Sequence, residues 1–148
     1  TGAGISSNVT YFCSAAHETF LVATMEPTSH TDVYALMKVL FQKHQQKQFR
    51  LIVNSVKSEK EALDVYRTLS AVADRYLPHV SLDYFGHIVQ DANVPKAVRL
   101  QKAFLEVFPF SKASICLNDL CEKVIRERAL TPSDGDRVFL WKSVFQVQ

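Results

Sequence analysis

The feature that most constrains this chain is an alternation between two hydrophobic rhythms. Phe20-Leu21-Val22-Ala23-Thr24 is a short continuous apolar run, and Val33, Leu36, Met37 and Leu40 then recur at helical spacing. A second run, residues 49–54, is centred on Leu51-Ile52-Val53. Ser58 and Glu61 follow it as a Ser-x-x-Glu capping box, ahead of Ala62, Val65, Tyr66, Leu69 and Val72 on one helical stripe. A third run, residues 82–88, precedes a short helical stretch with Val94, Ala97 and Val98. Ser111 then caps a last helix carrying Ile115, Leu120, Val124 and Ile125. Short, continuous apolar strands are covered on both faces, and strand–helix–strand repeats pair them in parallel. The expected fold is therefore α/β, a three-layer, mostly parallel sheet flanked by helices. In such a sheet the ligand crevice lies beyond the carboxyl ends of the strands. That rule singles out three rim clusters, residues 25–29, 54–56 and 89–91.

Composition excludes several function classes. The 148 residues are 47% apolar and 22% charged, with four glycines and five prolines, which is neither fibrous nor disordered. The net charge of +2, from 17 basic and 15 acidic groups, argues against phosphate neutralisation along nucleic acid. No apolar run approaches the length of a membrane span. Cys13, Cys116 and Cys121 have neither an even count nor a metal-site spacing, and read as buried free thiols of a reducing cytosol. The five histidines form no His-x-x-x-His or His-x-His pair, and His44 and His79 read as solvated. Glu59/Glu61 and Asp134/Asp136 read as surface charge. No Gly-x-x-x-x-Gly-Lys-Ser/Thr loop and no Gly-x-Ser-x-Gly elbow occurs.

Three features carry possible chemistry. Thr1, Gly2, Ala3 and Gly4 run into a helix start, where glycines let backbone amides approach an anion; an ordinary turn is the alternative. Asn54 closes the second strand, and its amide both donates and accepts, as an adenine edge requires; a strand-end turn former is the alternative. The C-terminal residues 137–145 follow a Pro/Gly/Asp linker at residues 130–136. On a helix Val138, Trp141 and Phe145 share a side, widened by Phe139, Leu140 and Val144, with Arg137 and Lys142 interleaved. That pattern suits a membrane interface or a terminal element packed on the core.

Taken in order, these segments resemble the MinD/ParA family of deviant P-loop ATPases, and within it the flagellar-number regulators of the FlhG/FleN type. The resemblance rests on Thr1-Gly2-Ala3-Gly4-Ile5-Ser6, on Ala23-Thr24-Met25-Glu26-Pro27-Thr28-Ser29, on Leu51-Ile52-Val53-Asn54, on Tyr84-Phe85-Gly86-His87-Ile88 and on Pro109-Phe110-Ser111-Lys112-Ala113. It implies a partial P-loop NTPase fold, with residues 1–129 the C-terminal part of the ATPase domain and residues 137–148 an amphipathic segment after the linker. It implies that Thr1, Gly2, Ala3 and Gly4 are the end of switch II, with no complete catalytic set and no metal ligand among these residues. It implies that Asn54 reads adenine, that Val89, Gln90 and Asp91 wall its pocket, and that Glu26 reaches a dimer partner's ribose. Val89 stands where the family usually has proline. ATP and magnesium are the family's cofactors, and the resemblance implies that these residues alone hold neither and do not hydrolyse ATP. It further implies a cytoplasmic protein, peripheral at the inner membrane through Val138, Phe139, Leu140, Trp141, Val144 and Phe145. Its expected partners are a second copy and flagellar assembly proteins, with a bare apolar first strand inviting edge-to-edge pairing. Two other readings stand beside it: a non-catalytic α/β interaction module, and a nucleic-acid partitioning protein that the near-neutral charge disfavours.

Overall fold

A computed structural model describes residues 6–130. Within them the chain folds as α1 (Ser7–Ala15), β1 (Phe20–Ala23), α2 (Pro27–His44), β2 (Gln48–Val56), α3 (Glu59–Tyr76), β3 (Ser81–Val89), α4 (Asn93–Arg99), α5 (Phe104–Val107) and α6 (Lys112–Leu130). The three strands form one sheet in the order β1-β2-β3, every pair parallel. This is the expected α/β architecture, a parallel sheet flanked by helices. The chain divides between Leu117 and Asn118 into two compact units, and the sheet lies in the first.

The core forms where the two rhythms meet. Leu21 and Ala23 of β1, Phe49, Leu51, Val53 and Val56 of β2 and Leu82 of β3 supply one face of the sheet. Val33, Met37 and Leu40 of α2 and Ala62, Val65, Leu69 and Ala73 of α3 supply the stripes that close on it. Tyr66 packs on Tyr84 at the margin of this layer, ring centroids 5.6 Å apart. The other face is less covered than continuous apolar strands suggest. β2 alternates between buried and half-buried residues, and Val22 of β1 is exposed. The physical reason is position: β1 has a strand neighbour on one side only among the described residues. On this second face Arg50 lies over the Phe20 and Phe85 rings, at 5.7 and 5.0 Å, and pairs with Glu18 at 3.3 Å, so one guanidinium links all three strands.

Local signals place the helix starts. Ser58 Oγ accepts from the Glu61 N–H, as the capping box requires, but the Glu61 carboxylate accepts from the Lys57 N–H at 2.8 Å. Pro27 opens α2, where its missing N–H costs nothing. α2 ends with Gln45 left-handed (φ 56°), its N–H bonded to the Leu40 and Phe41 carbonyls. The cysteines are free but not buried: Cys13 and Cys116 are half-buried and Cys121 is exposed. Cys121 follows Leu120 on α6 and turns to solvent where Leu120 turns inward. His44 and His79 are solvated, as expected. Among the described residues no helix is long and apolar enough to cross a membrane.

Candidate functional site

The rim at the carboxyl ends of the strands is built from three turns. After β1, the Thr24 N–H donates to Ser29 Oγ at 3.0 Å and the Thr24 carbonyl meets His30 Nε2 at 2.9 Å. A carbonyl only accepts, so Nε2 carries the proton. Thr24 Oγ1 in turn accepts from the Glu26 N–H at 3.3 Å. Ser29 and His30 sit in the first turn of α2, so the loop is pinned to the helix it feeds. Glu26 is left exposed at the head of α2, its carboxylate making no cap bond.

After β2 the chain bulges. Ala23 pairs with Val53 and Asn54 with Ile88, but the next pair is Val56 with Val89. Ser55 is the extra residue, and its backbone is left-handed at φ 60°. A regular strand would send Val53 and Ser55 to the same face; the bulge sends Val53 and Val56 there, both fully buried. Asn54 is thereby held half-buried on the opposite face, and its side chain makes no hydrogen bond among the described residues. A second irregularity falls at Phe85, between the pairs Leu51–Tyr84 and Ile52–Gly86.

After β3 the Gln90 N–H donates to the Val56 carbonyl at 2.7 Å, which holds the two turns side by side. Asp91 then spends both carboxylate oxygens on backbone. Oδ1 accepts from the Asn93 N–H at 2.8 Å and Oδ2 from the Ala113 N–H at 3.1 Å. These bonds, with the Ser111 hydroxyl and Lys112 N–H, hold its carboxyl below the usual Asp range. Asp91 thus fixes the starts of α4 and α6. Farther back on β3, the Tyr84 hydroxyl lies 2.9 Å from His87 Nδ1. Burial, and then the Glu59 carboxylate, push the Tyr84 phenol above its usual range.

The structure therefore brings Asn54, Val89 and Gln90 onto neighbouring strand ends, with Glu26 on the adjoining turn. Thr1, Gly2, Ala3 and Gly4 lie outside the described residues, as do Val138, Phe139, Leu140, Trp141, Val144 and Phe145. Ser29, His30 and Ser55 shape the rim; Ser29 and Ser55 lie within the clusters singled out by the strand-end rule and His30 one residue beyond them, but their bonds and the left-handed turn escape a reading of sequence. A serine and a histidine just after a helix-initiating proline are the one local hint for the first two.

The chain is similar to known proteins. The chain is 44% identical over 124 residues to the antiactivator FleN of Pseudomonas aeruginosa, a match covering 84% of this chain and 44% of that protein. It is 32% identical over 109 residues to the flagellum site-determining protein YlxH of Helicobacter pylori, covering 74% of this chain and 36% of that protein. The chain belongs to the FlhG/FleN family. It spans less than half the length of either relative. No protein-family model matches it. For a FlhG/FleN chain the parallel sheet agrees with the fold implied by the resemblance at residues 23–29, 51–54 and 84–88.

Proposed function

We propose that this chain is the C-terminal part of a flagellar regulator, one that sets the placement or number of flagella through ATP-dependent dimerisation at the cytoplasmic membrane. Its family relatives carry flagellar names, and the rim carries the nucleotide reading. The single observation behind that reading is Asn54: a half-buried amide at a strand end, with donors and acceptor unspent among the described residues. An adenine edge offers one donor beside one acceptor, which an amide matches with both of its groups. Val89, half-buried one residue past Ile88, the register partner of Asn54, supplies an apolar wall in this reading, and Gln90 is exposed beyond it. Asp91 orients this wall through the two backbone amides it holds rather than by meeting the base. Glu26, exposed on the neighbouring turn, is free to reach a second copy.

In this reading ATP and magnesium are held by the whole protein, this chain supplying the adenine side. Residues 138–145 supply the membrane contact, an apolar stripe with Arg137 and Lys142 interleaved. The deciding measurement is nucleotide titration of the full-length protein and its Asn54→Ala variant. The expected result is ATP binding weakened about tenfold in the variant, the scale of one buried hydrogen-bonding pair, with GTP binding weaker at the outset and little changed. A full-length protein that binds no ATP ends this reading. A variant that binds ATP normally removes Asn54 from it.

A further inference from the structure

Between the end of β3 and Leu117, large apolar side chains are left outside the fold. Val98 is 69% exposed, Leu100 58%, Phe110 91% and Ile115 50%. Isolated exposed hydrophobes are ordinary; four within one short stretch mark an interaction surface. Asp91 gathers the segments that carry them. Its two oxygens tie the first turn of α4 to the first turn of α6, and α5 packs against α4. Phe110 stands on the turn just ahead of α6, between Pro109 and Ser111, with almost its whole surface in water.

Between α4 and the first turn of α6 the charge is mostly positive. Lys96, Arg99, Lys102 and Lys112 are all exposed, and Glu106 is the one carboxylate among residues 96–115. Arg99, Lys102 and Lys112 are in no ion pair among the described residues. We propose that the lobe formed by α4, α5 and the first turn of α6 is a contact site for an anionic lipid surface, with Phe110 and Leu100 entering the interface and the four cations at headgroup level. The long stems of lysine and arginine allow this, because they bury methylenes while the charged tip stays wet. A bilayer fits better than an acidic peptide because Phe110 protrudes. An inserted side chain must stand proud, whereas a docked peptide needs a concavity for its own anchor. The inference does not depend on residues 138–145. Two weak contacts on one chain do, however, give the pair of signals that lasting membrane attachment requires.

The test is co-sedimentation of the full chain with vesicles of phosphatidylglycerol and phosphatidylethanolamine, against vesicles of neutral phosphatidylcholine. Three proteins are compared: the parent, L100S/F110S, and W141S/F145S. Neither residue belongs to the core cluster, so L100S/F110S should stay close to the parent's thermal midpoint. The expected result is affinity for the anionic vesicles reduced about tenfold or more in L100S/F110S. The parent's binding should also fall on neutral vesicles and in ~0.5 M salt. Loss in L100S/F110S but not in W141S/F145S would support this lobe and remove the tail. Loss in W141S/F145S alone would overturn the lobe and keep the tail. Unchanged binding by L100S/F110S overturns the proposal and leaves an acidic protein as the occupant. Equal binding to neutral vesicles overturns it as well, and so does a fall in the mass of vesicle-free protein on L100S/F110S substitution, which would make the lobe a self-association surface.

Discussion

Ser55 offers a test in which the sign of an effect decides. In an extended strand valine is favoured over glycine by about 1 kcal/mol. In the left-handed region the order reverses, because Cβ crowds the following carbonyl by roughly 1–2 kcal/mol and a β-branched residue is worst placed. Ser55 has φ 60° and sits between the pairs Asn54–Ile88 and Val56–Val89. Ser55 is exposed, so packing adds little to either variant. Ser55→Gly should therefore be close to neutral, strain relief offsetting the added freedom of the unfolded chain. Ser55→Val should lose about 1–2 kcal/mol. With a urea slope of about 2 kcal/mol/M for a chain of this size, the two midpoints should differ by roughly 0.5–1 M. Circular dichroism during urea unfolding reads this directly. If the valine variant matches or exceeds the glycine variant, the left-handed bulge is wrong, and with it the account of why Val53 and Val56 share a face.

Other outcomes follow from single contacts. Met37→Ala empties a fully buried position between α2 and the sheet, and should cost about 2–5 kcal/mol in urea unfolding. Ser58→Ala removes the acceptor of the Glu61 N–H at the head of α3, and should cost about 1 kcal/mol by the same assay. Asp91 titrates below its usual value when folded, so its contribution is complete above the unfolded Asp pKa of about 3.9 and is lost as pH falls through the lower, folded one. Asp91→Asn should accordingly flatten the acid limb of the stability profile, with its deficit against the parent shrinking as pH drops from ~5 to ~3. A constant deficit across that range would show that the carboxylate charge plays no part.

Much of the sheet was legible because its signals are local. Residues 20–24, 49–54 and 82–88 are short, mainly apolar runs, each followed by a turn and a helical stripe, and each became a parallel strand or most of one. The cap at Ser58 is written in two residues three apart. What stayed hidden depends on neighbours rather than on pattern. Nothing in Val-Asn-Ser-Val marks the serine as left-handed; the register against β3 sets it. The register against β2 also sets Gly86, not Phe85, opposite Ile52, which no local pattern shows. Val22, Ile115 and Ile125 look like core residues by hydropathy and are exposed, since periodicity reports which residues share a side and not what lies against it. At the site, Asn54 was legible as an amide closing a strand. The use of Asp91 as a double backbone anchor was not, because one of its partners, Ala113, lies more than twenty residues away.

The all-parallel order β1-β2-β3 also sets a timetable for synthesis. Phe20 pairs with Arg50, about thirty residues further on, and Gln48 with Ser81 after a similar gap. Parallel neighbours cannot meet until the whole crossover has been made. At about 5–20 residues per second, β1 leaves the ribosome roughly 2–6 s before β2 is there to receive it. For that interval Phe20-Leu21-Val22-Ala23 lacks β2, the strand it pairs with among the described residues, and that edge is open to wrong partners. The β1 edge is thus most exposed to wrong pairing while α2 is being made, and slowing translation across α2 should lower the soluble yield more than slowing it after β3 is complete.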